Sequence, residues 1–175
     1  MSRSKNFIRS SGPGAVFIRW WERISAPDAR GTARADRAVL ERASTLTHVA
    51  LTPAYQRLYA DLQAAQIDEH WKPYEQDRIA AFVGLAAHLK HTSELSLPRA
   101  MSQRTDPTDR NPVSDLRFSR LLDAPDIDAL FIGLRRLLPL IDHTADPMSL
   151  ANDVFHWGDA VKKRWAYDFN WKAGD

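Results

Sequence analysis

Arg135 and Arg136 stand side by side in Leu134-Arg135-Arg136-Leu137-Leu138. Guanidinium forks match phosphate oxygens in a bidentate way, so arginines grouped on one surface can grip a polyanion backbone. Three further groups could share that task. Arg34, Arg37 and Arg42 lie in one basic stretch, Arg117 and Arg120 are three residues apart, and Lys162 and Lys163 precede Arg164. Arg99 and Arg104 fall in a stretch rich in turn residues, where exposed backbone tends to carry binding groups. The competing reading is a solvated, salt-bridged surface: Arg37 and Glu41 are spaced i, i+4 for a helical ion pair, and basic residues near a helix C-terminus complement its dipole.

The elements that position these groups read as helices throughout. Ile127, Leu130, Phe131, Leu134, Leu137, Leu138 and Ile141 recur every three or four residues, giving a helix over 126–141 that Pro139 ends or kinks. It is the best-defined amphipathic segment, and the rest of the chain is expected to be organised around it. Pro13-Gly14 opens a helix over 15–24 whose Phe17, Trp20, Trp21 and Ile24 form a core face. A helix over 33–44 has a thin apolar face of Ala35, Val39 and Ala43. Thr52-Pro53 starts a helix to residue 65, with a capping hydroxyl before a proline at the first helical position. Trp71-Lys72-Pro73 starts another, to residue 91, with His88 and His91 off its stripe toward solvent. Ser114 caps a helix to residue 123, and Asp146-Pro147 opens a last helix from 148 to 171, with Leu150, Val154, Trp157, Val161 and Trp165 as its seam. The expected fold is all-α: two small helical bundles, over 15–98 and 114–175, joined by a Pro/Asp-rich linker over 99–113. Residues 1–14 read as a basic flexible arm.

Composition narrows the function. The 175 residues hold no cysteine, which excludes disulfides and thiolate chemistry and fits a cytoplasmic setting. Arginine outnumbers lysine 18 to six, and the first sixty residues carry ten bases against four acids although the whole chain is only +2. Such a basic half suggests an anionic polymer as partner. No apolar run reaches membrane-spanning length. A glycine-rich phosphate loop, a His-Glu-x-x-His pair, a nucleophile elbow and a dinucleotide fingerprint are all missing. His88, His91 and Glu94 are too few and too poorly placed for a metal site, and Asp126 and Asp128 read as helix-start residues. The expectation is a chain with no enzymatic activity, cofactor, metal, membrane contact or small-molecule substrate. Residue patterns alone leave a nucleic-acid-binding protein and a helical protein-interaction or regulatory module both open.

The order of the motifs adds a resemblance. Phe17-Ile18-Arg19-Trp20-Trp21 is followed by Asp36-Arg37-Ala38-Val39-Leu40-Glu41-Arg42-Ala43, Arg117-Phe118-Ser119-Arg120-Leu121-Leu122 and Leu134-Arg135-Arg136-Leu137-Leu138. Leu150-Ala151-x-Asp153-x-x-x-Trp157 and Val161-Lys162-x-x-Trp165-Ala166-Tyr167-Asp168-Phe169 close the series. It resembles the CasB family, the small subunit of the type I-E CRISPR surveillance complex Cascade, over nearly the whole chain. The resemblance implies a non-catalytic ribonucleoprotein subunit of two helical bundles. Its partners would be the backbone and large subunits, a second copy of itself, the guide RNA, and the target and displaced DNA strands of the R-loop. The family's basic face maps to Arg34, Arg37, Arg42, Arg117, Arg120, Arg135 and Arg136. Glu41 stands where many members carry an arginine, and Pro98 replaces a glycine before Arg99. In an RNA-guided complex base pairing reads the sequence, so a protein that only holds backbone needs no base-reading motif.

Overall fold

The computed structural model describes residues 5–66, 69–106 and 108–172. Among them there are ten α-helices and no strand, in keeping with the all-α expectation. The central element is α5 (Pro73–Ala86), and its sequence shows why. Ile79 to Ala86 is an unbroken apolar run, buried on every side, as a helix enclosed by others must be. Around it lie α1 (Gly12–Ser25), α2 (Gly31–Arg42), the short α3 (Leu46–Ala50), α8 (Ile127–Leu137) and α9 (Pro147–Phe155). Trp21 of α1 donates its indole N–H to the Ala86 carbonyl at 3.1 Å. At Gly84 α5 approaches its neighbours closely: a Cβ there would sit 2.9 Å from Val49 Cγ2 and 3.0 Å from Phe131 Cε2.

Helix starts follow the expected chemistry. Thr52, Ser114 and Asp126 accept from Tyr55, Arg117 and Ala129 backbone N–H groups at 3.1, 3.3 and 2.8 Å, opening α4 (Pro53–Ala65), α7 (Asp115–Leu122) and α8. Pro139 ends α8 in a 3-10 turn, Leu138–Ile141. Thr45 caps α3, a helix the pattern did not suggest because it is only five residues long.

Several boundaries differ from expectation. α5 stops at Ala86 rather than running to residue 91, because Lys90 and His91 turn to meet the 143–145 segment. Lys90 N–H donates to the His143 carbonyl at 2.8 Å, and Ala145 N–H to the His91 carbonyl at 3.1 Å. His88 is drawn inward, not toward solvent. The buried face of α2 is Ala33, Asp36 and Leu40, while Ala35 is exposed. The long last helix is broken after Phe155, into α9 and α10 (Asp159–Asp168). Arg78 of α5 supplies the reason: its Nη1 donates to the Phe155 and Trp157 carbonyls at 2.9 and 2.8 Å, satisfying acceptors that a continuous helix would have used.

Asp153 fixes the angle across that break. It accepts from Trp165 Nε1 at 2.9 Å and from the Arg164 guanidinium, while itself almost fully buried. Asp153→Ala is expected to cost about 2–3 kcal/mol, since a buried indole N–H loses its acceptor along with a charge-assisted bond. A fall in the urea midpoint with an unchanged slope would register it.

The division into two bundles is not confirmed by the packing. α5, assigned to the first bundle, packs on α8 and α9 of the second, and one hydrophobic cluster runs through both. The expected linker carries α6 (Leu97–Met101), and Val113 within it is buried with its N–H on the Met101 carbonyl at 2.9 Å. Pro107 lies outside the described residues.

The arm over 1–14 also differs, as far as it is described; Met1 to Ser4 lie outside. Phe7 is 5% exposed and sits edge-on to Phe82 and Phe155, ring centroids 5.1 Å from each. Asn152 clamps its backbone in both senses, accepting from Phe7 N–H at 2.8 Å and donating to its carbonyl at 2.9 Å. Lys5 reaches Glu75 and Glu69 at 3.0 and 3.1 Å; its hydrogen bond to the buried Glu75 raises its pKa, against the opposing effect of burial. A Cβ at Gly14 would overlap the Ile8 backbone, so glycine is what lets this strap lie across α1. Among the described residues no helix is long and apolar enough to cross a membrane.

Candidate nucleic-acid interface

Three of the expected binding residues converge. Arg117 and Arg120 on α7 and Arg136 on α8 line one open groove of about 610 Å³, over a floor that includes Leu121, Leu137 and Leu140. Its sides come from the packing of two amphipathic helices. Phe118 and Leu121 turn inward from α7, and Leu130, Leu134 and Leu137 from α8, which leaves the arginines outside. Gly133 lets the two approach closely, for a Cβ there would lie 2.8 Å from Leu121 Cδ1. All three arginines are exposed, and among the described residues none is within ion-pairing distance of a carboxylate. Asp123 also lines the groove but pairs with none of them. Uncompensated guanidiniums beside an apolar floor can hold phosphate oxygens.

The other expected residues divide by what they touch. Arg34 and Arg37 line a second groove, of about 470 Å³, with Glu41 and Lys90. Arg37 is engaged there: its Nε donates to Glu41 Oε1 at 2.9 Å. Arg42 is exposed at the end of α2 and lines neither groove. Arg99 is exposed on α6. Arg104 donates to Asn111 Oδ1 at 2.7 Å and is held within the 102–111 turn. Lys162 lies over the Trp157 ring, 6.0 Å from its centroid, and Lys163 is exposed beside it.

Arg135 departs furthest from expectation. It is half-buried, its Nη2 donates to the Glu41 carbonyl at 3.1 Å, and its Nε is enclosed without a partner. Near it, His88 is held down to a pKa of about 4, first by burial and then by the Arg135 charge. The adjacent pair Arg135-Arg136 is therefore split between interior and surface.

One basic groove escaped the sequence reading. Arg19 and Arg23 of α1 and Arg57 of α4 line a cleft of about 590 Å³ with Asp36 and Asp61. Arg57 is bound to the nearly buried Asp36 at 2.6 Å. The spacing of Arg19 and Arg23 at i, i+4, opposite the aromatic face, was the available signal.

Residues 36–169 match the family model of CRISPR-associated protein Cse2. The chain belongs to the Cse2 family. This is the CasB family that the motif order resembled. No curated protein matches the chain. Among solved structures it is similar to a chain in the crystal structure of E. coli Cascade bound to a PAM-containing dsDNA target with a 32-nt spacer. The TM-score is 0.60 at 21% identity, over 87% of this chain and 92% of that one. The two share a fold, and the matched family segment contains both α7 and α8.

Proposed function

We propose that this Cse2-family chain is the non-catalytic small subunit of a type I-E Cascade ribonucleoprotein. In this reading it holds guide RNA and the target and displaced DNA strands by their backbone, without reading bases, and so stabilises the R-loop. Its protein partners are the backbone and large subunits and a second copy of itself. The observation that carries the reading is the α7/α8 groove, where Arg117, Arg120 and Arg136 share one opening with no carboxylate partner. Family membership and the fold shared with a chain of E. coli Cascade support it. Arg34, Arg42, Arg99 and Lys163 are the exposed bases that could extend the track.

A salt titration of single-stranded DNA binding tests it. Neutralising three phosphates gives a log–log slope of about −2 on single strands. The triple variant Arg117→Ala, Arg120→Ala, Arg136→Ala is expected to take about 2 out of the slope and to weaken unrelated sequences alike, in the free chain and in the assembled complex. Identical slopes for wild type and variant in both settings would refute the role of the groove. The rival reading, a protein-interaction module, draws on the apolar floor of the same groove; it predicts a salt-independent partner and no affinity for DNA.

A further inference from the structure

We infer that Arg135 is a positioning residue: it ties the C-terminal end of α2 to α8, so that the basic residues of α2 are held at a fixed place relative to the α7/α8 groove. The inference rests on the nucleic-acid reading above only for its functional consequence; the tie itself is a property of the free chain.

The last carbonyls of a helix have no partner within it. At the end of α2 the Glu41 carbonyl finds one 94 residues away, in Arg135 Nη2 at 3.1 Å. The side chain of the same Glu41 holds Arg37 Nε at 2.9 Å, so a single residue links a base of α2 to a base of α8. A guanidinium suits the place because its charge favours the negative end of the α2 dipole, and its fork reaches a carbonyl from a stem lying along packed surface. The neighbouring groups confirm that this is an interior station. Arg135 Nε and His88 Nε2 are both enclosed without partners, as is His143 Nδ1. His88 is held neutral there, first by burial and then by the charge of Arg135. Arg136, one residue on, points instead into the groove. The two arginines thus divide the labour: one faces the ligand, the other fixes the frame.

The test compares Arg135→Met, which keeps the packed stem and removes the fork, with Arg136→Ala. Circular dichroism first establishes that both retain wild-type helicity. Amide hydrogen exchange is then read in the protein without nucleic acid. Arg135→Met is expected to speed exchange in the last turn of α2 and the following residues 43–45 by fivefold or more, and Arg136→Ala to leave it unchanged. In the salt titration, Arg135→Met is expected to weaken single-stranded DNA binding severalfold while keeping the wild-type slope, because no phosphate contact is removed. Arg136→Ala is expected to lose about 0.7 of slope, the share of one contact on a single strand. Unchanged exchange in Arg135→Met, or a slope loss equal to that of Arg136→Ala, would overturn the inference. Should the nucleic-acid reading itself fail, Arg136→Ala would bind as wild type does, and the exchange result would still decide the role of Arg135. If Arg135→Met loses helicity, Arg135→Lys, which keeps a charge but not the fork, replaces it under the same criteria.

Discussion

Phe7→Ala is expected to destabilise the protein by about 3–4 kcal/mol, within the range for removing a buried phenylalanine ring. The ring fills a socket between Phe82 of α5 and Phe155 of α9, with Trp71 at 6.4 Å. Its removal therefore opens a cavity at the junction of the two most intimately packed helices. For a chain of this length that loss lowers the melting temperature by roughly 6–15 °C. Asn152→Ala, which frees the Phe7 backbone but leaves the ring, is expected to cost about 1–2 kcal/mol through two hydrogen bonds. Differential scanning calorimetry of both variants provides the measurement. A Phe7→Ala midpoint within 1–2 °C of wild type would mean that the strap contributes nothing, as a flexible arm would.

That contrast shows where the sequence was legible. Periodicity found the helices whose faces are self-evident: α4 and α8 begin and end close to where their caps and prolines place them. It failed where the deciding partner is remote. Phe7-Ile8 is a lone apolar pair in a basic, serine-rich segment, and the residue that clamps it, Asn152, is 145 positions away. The break between α9 and α10 is set by Arg78, 77 positions from the carbonyl it satisfies. No local pattern carries such information. The same limit explains why α8 seemed the organising element. A strong amphipathic stripe marks a helix at the edge of a core, whereas the Ile79–Ala86 half of α5, apolar all round, gives a weaker periodic signal because it is enclosed.

For the candidate site, residue type was legible and direction was not. Spacing placed Arg117 and Arg120 on the outer side of α7, where they are found. Arg135 follows Leu134 at the edge of the apolar stripe of its helix, and an edge position can turn either way. The choice is made by the open carbonyl at the end of α2, again a long-range partner. Glu41 illustrates the point from the other side. Its carboxylate engages Arg37, so one base of the first cluster is internally compensated in this chain.

Acid is expected to act through the same junction. His88 has a folded-state pKa of about 4, against 6.5 for a free histidine. Burial is the main cause, followed by the Arg135 charge; His143 and Arg37 push the same way and Glu41 opposes. Because the folded value is depressed, the unfolded chain binds the proton first. The contribution to stability is whole above pH 6.5 and is lost as pH falls from about 6.5 toward 4. One pKa unit corresponds to about 1.4 kcal/mol. Allowing for the partial exposure of the ring, the loss is about 2 kcal/mol by pH 4.5. His88→Gln removes the titration and keeps a polar group of similar reach. Urea midpoints for wild type and His88→Gln, measured from pH 7 to 4.5, should diverge, with wild type losing about 2 kcal/mol more than the variant. Carboxylates that titrate in both proteins cancel from that difference. Parallel acid limbs would show that His88 is protonated alike in the folded and unfolded chains, and that water reaches its ring. A divergence accompanied by faster amide exchange at the end of α2 below pH 6 would place the effect at Arg135, since the cation formed on His88 repels the guanidinium that holds the Glu41 carbonyl.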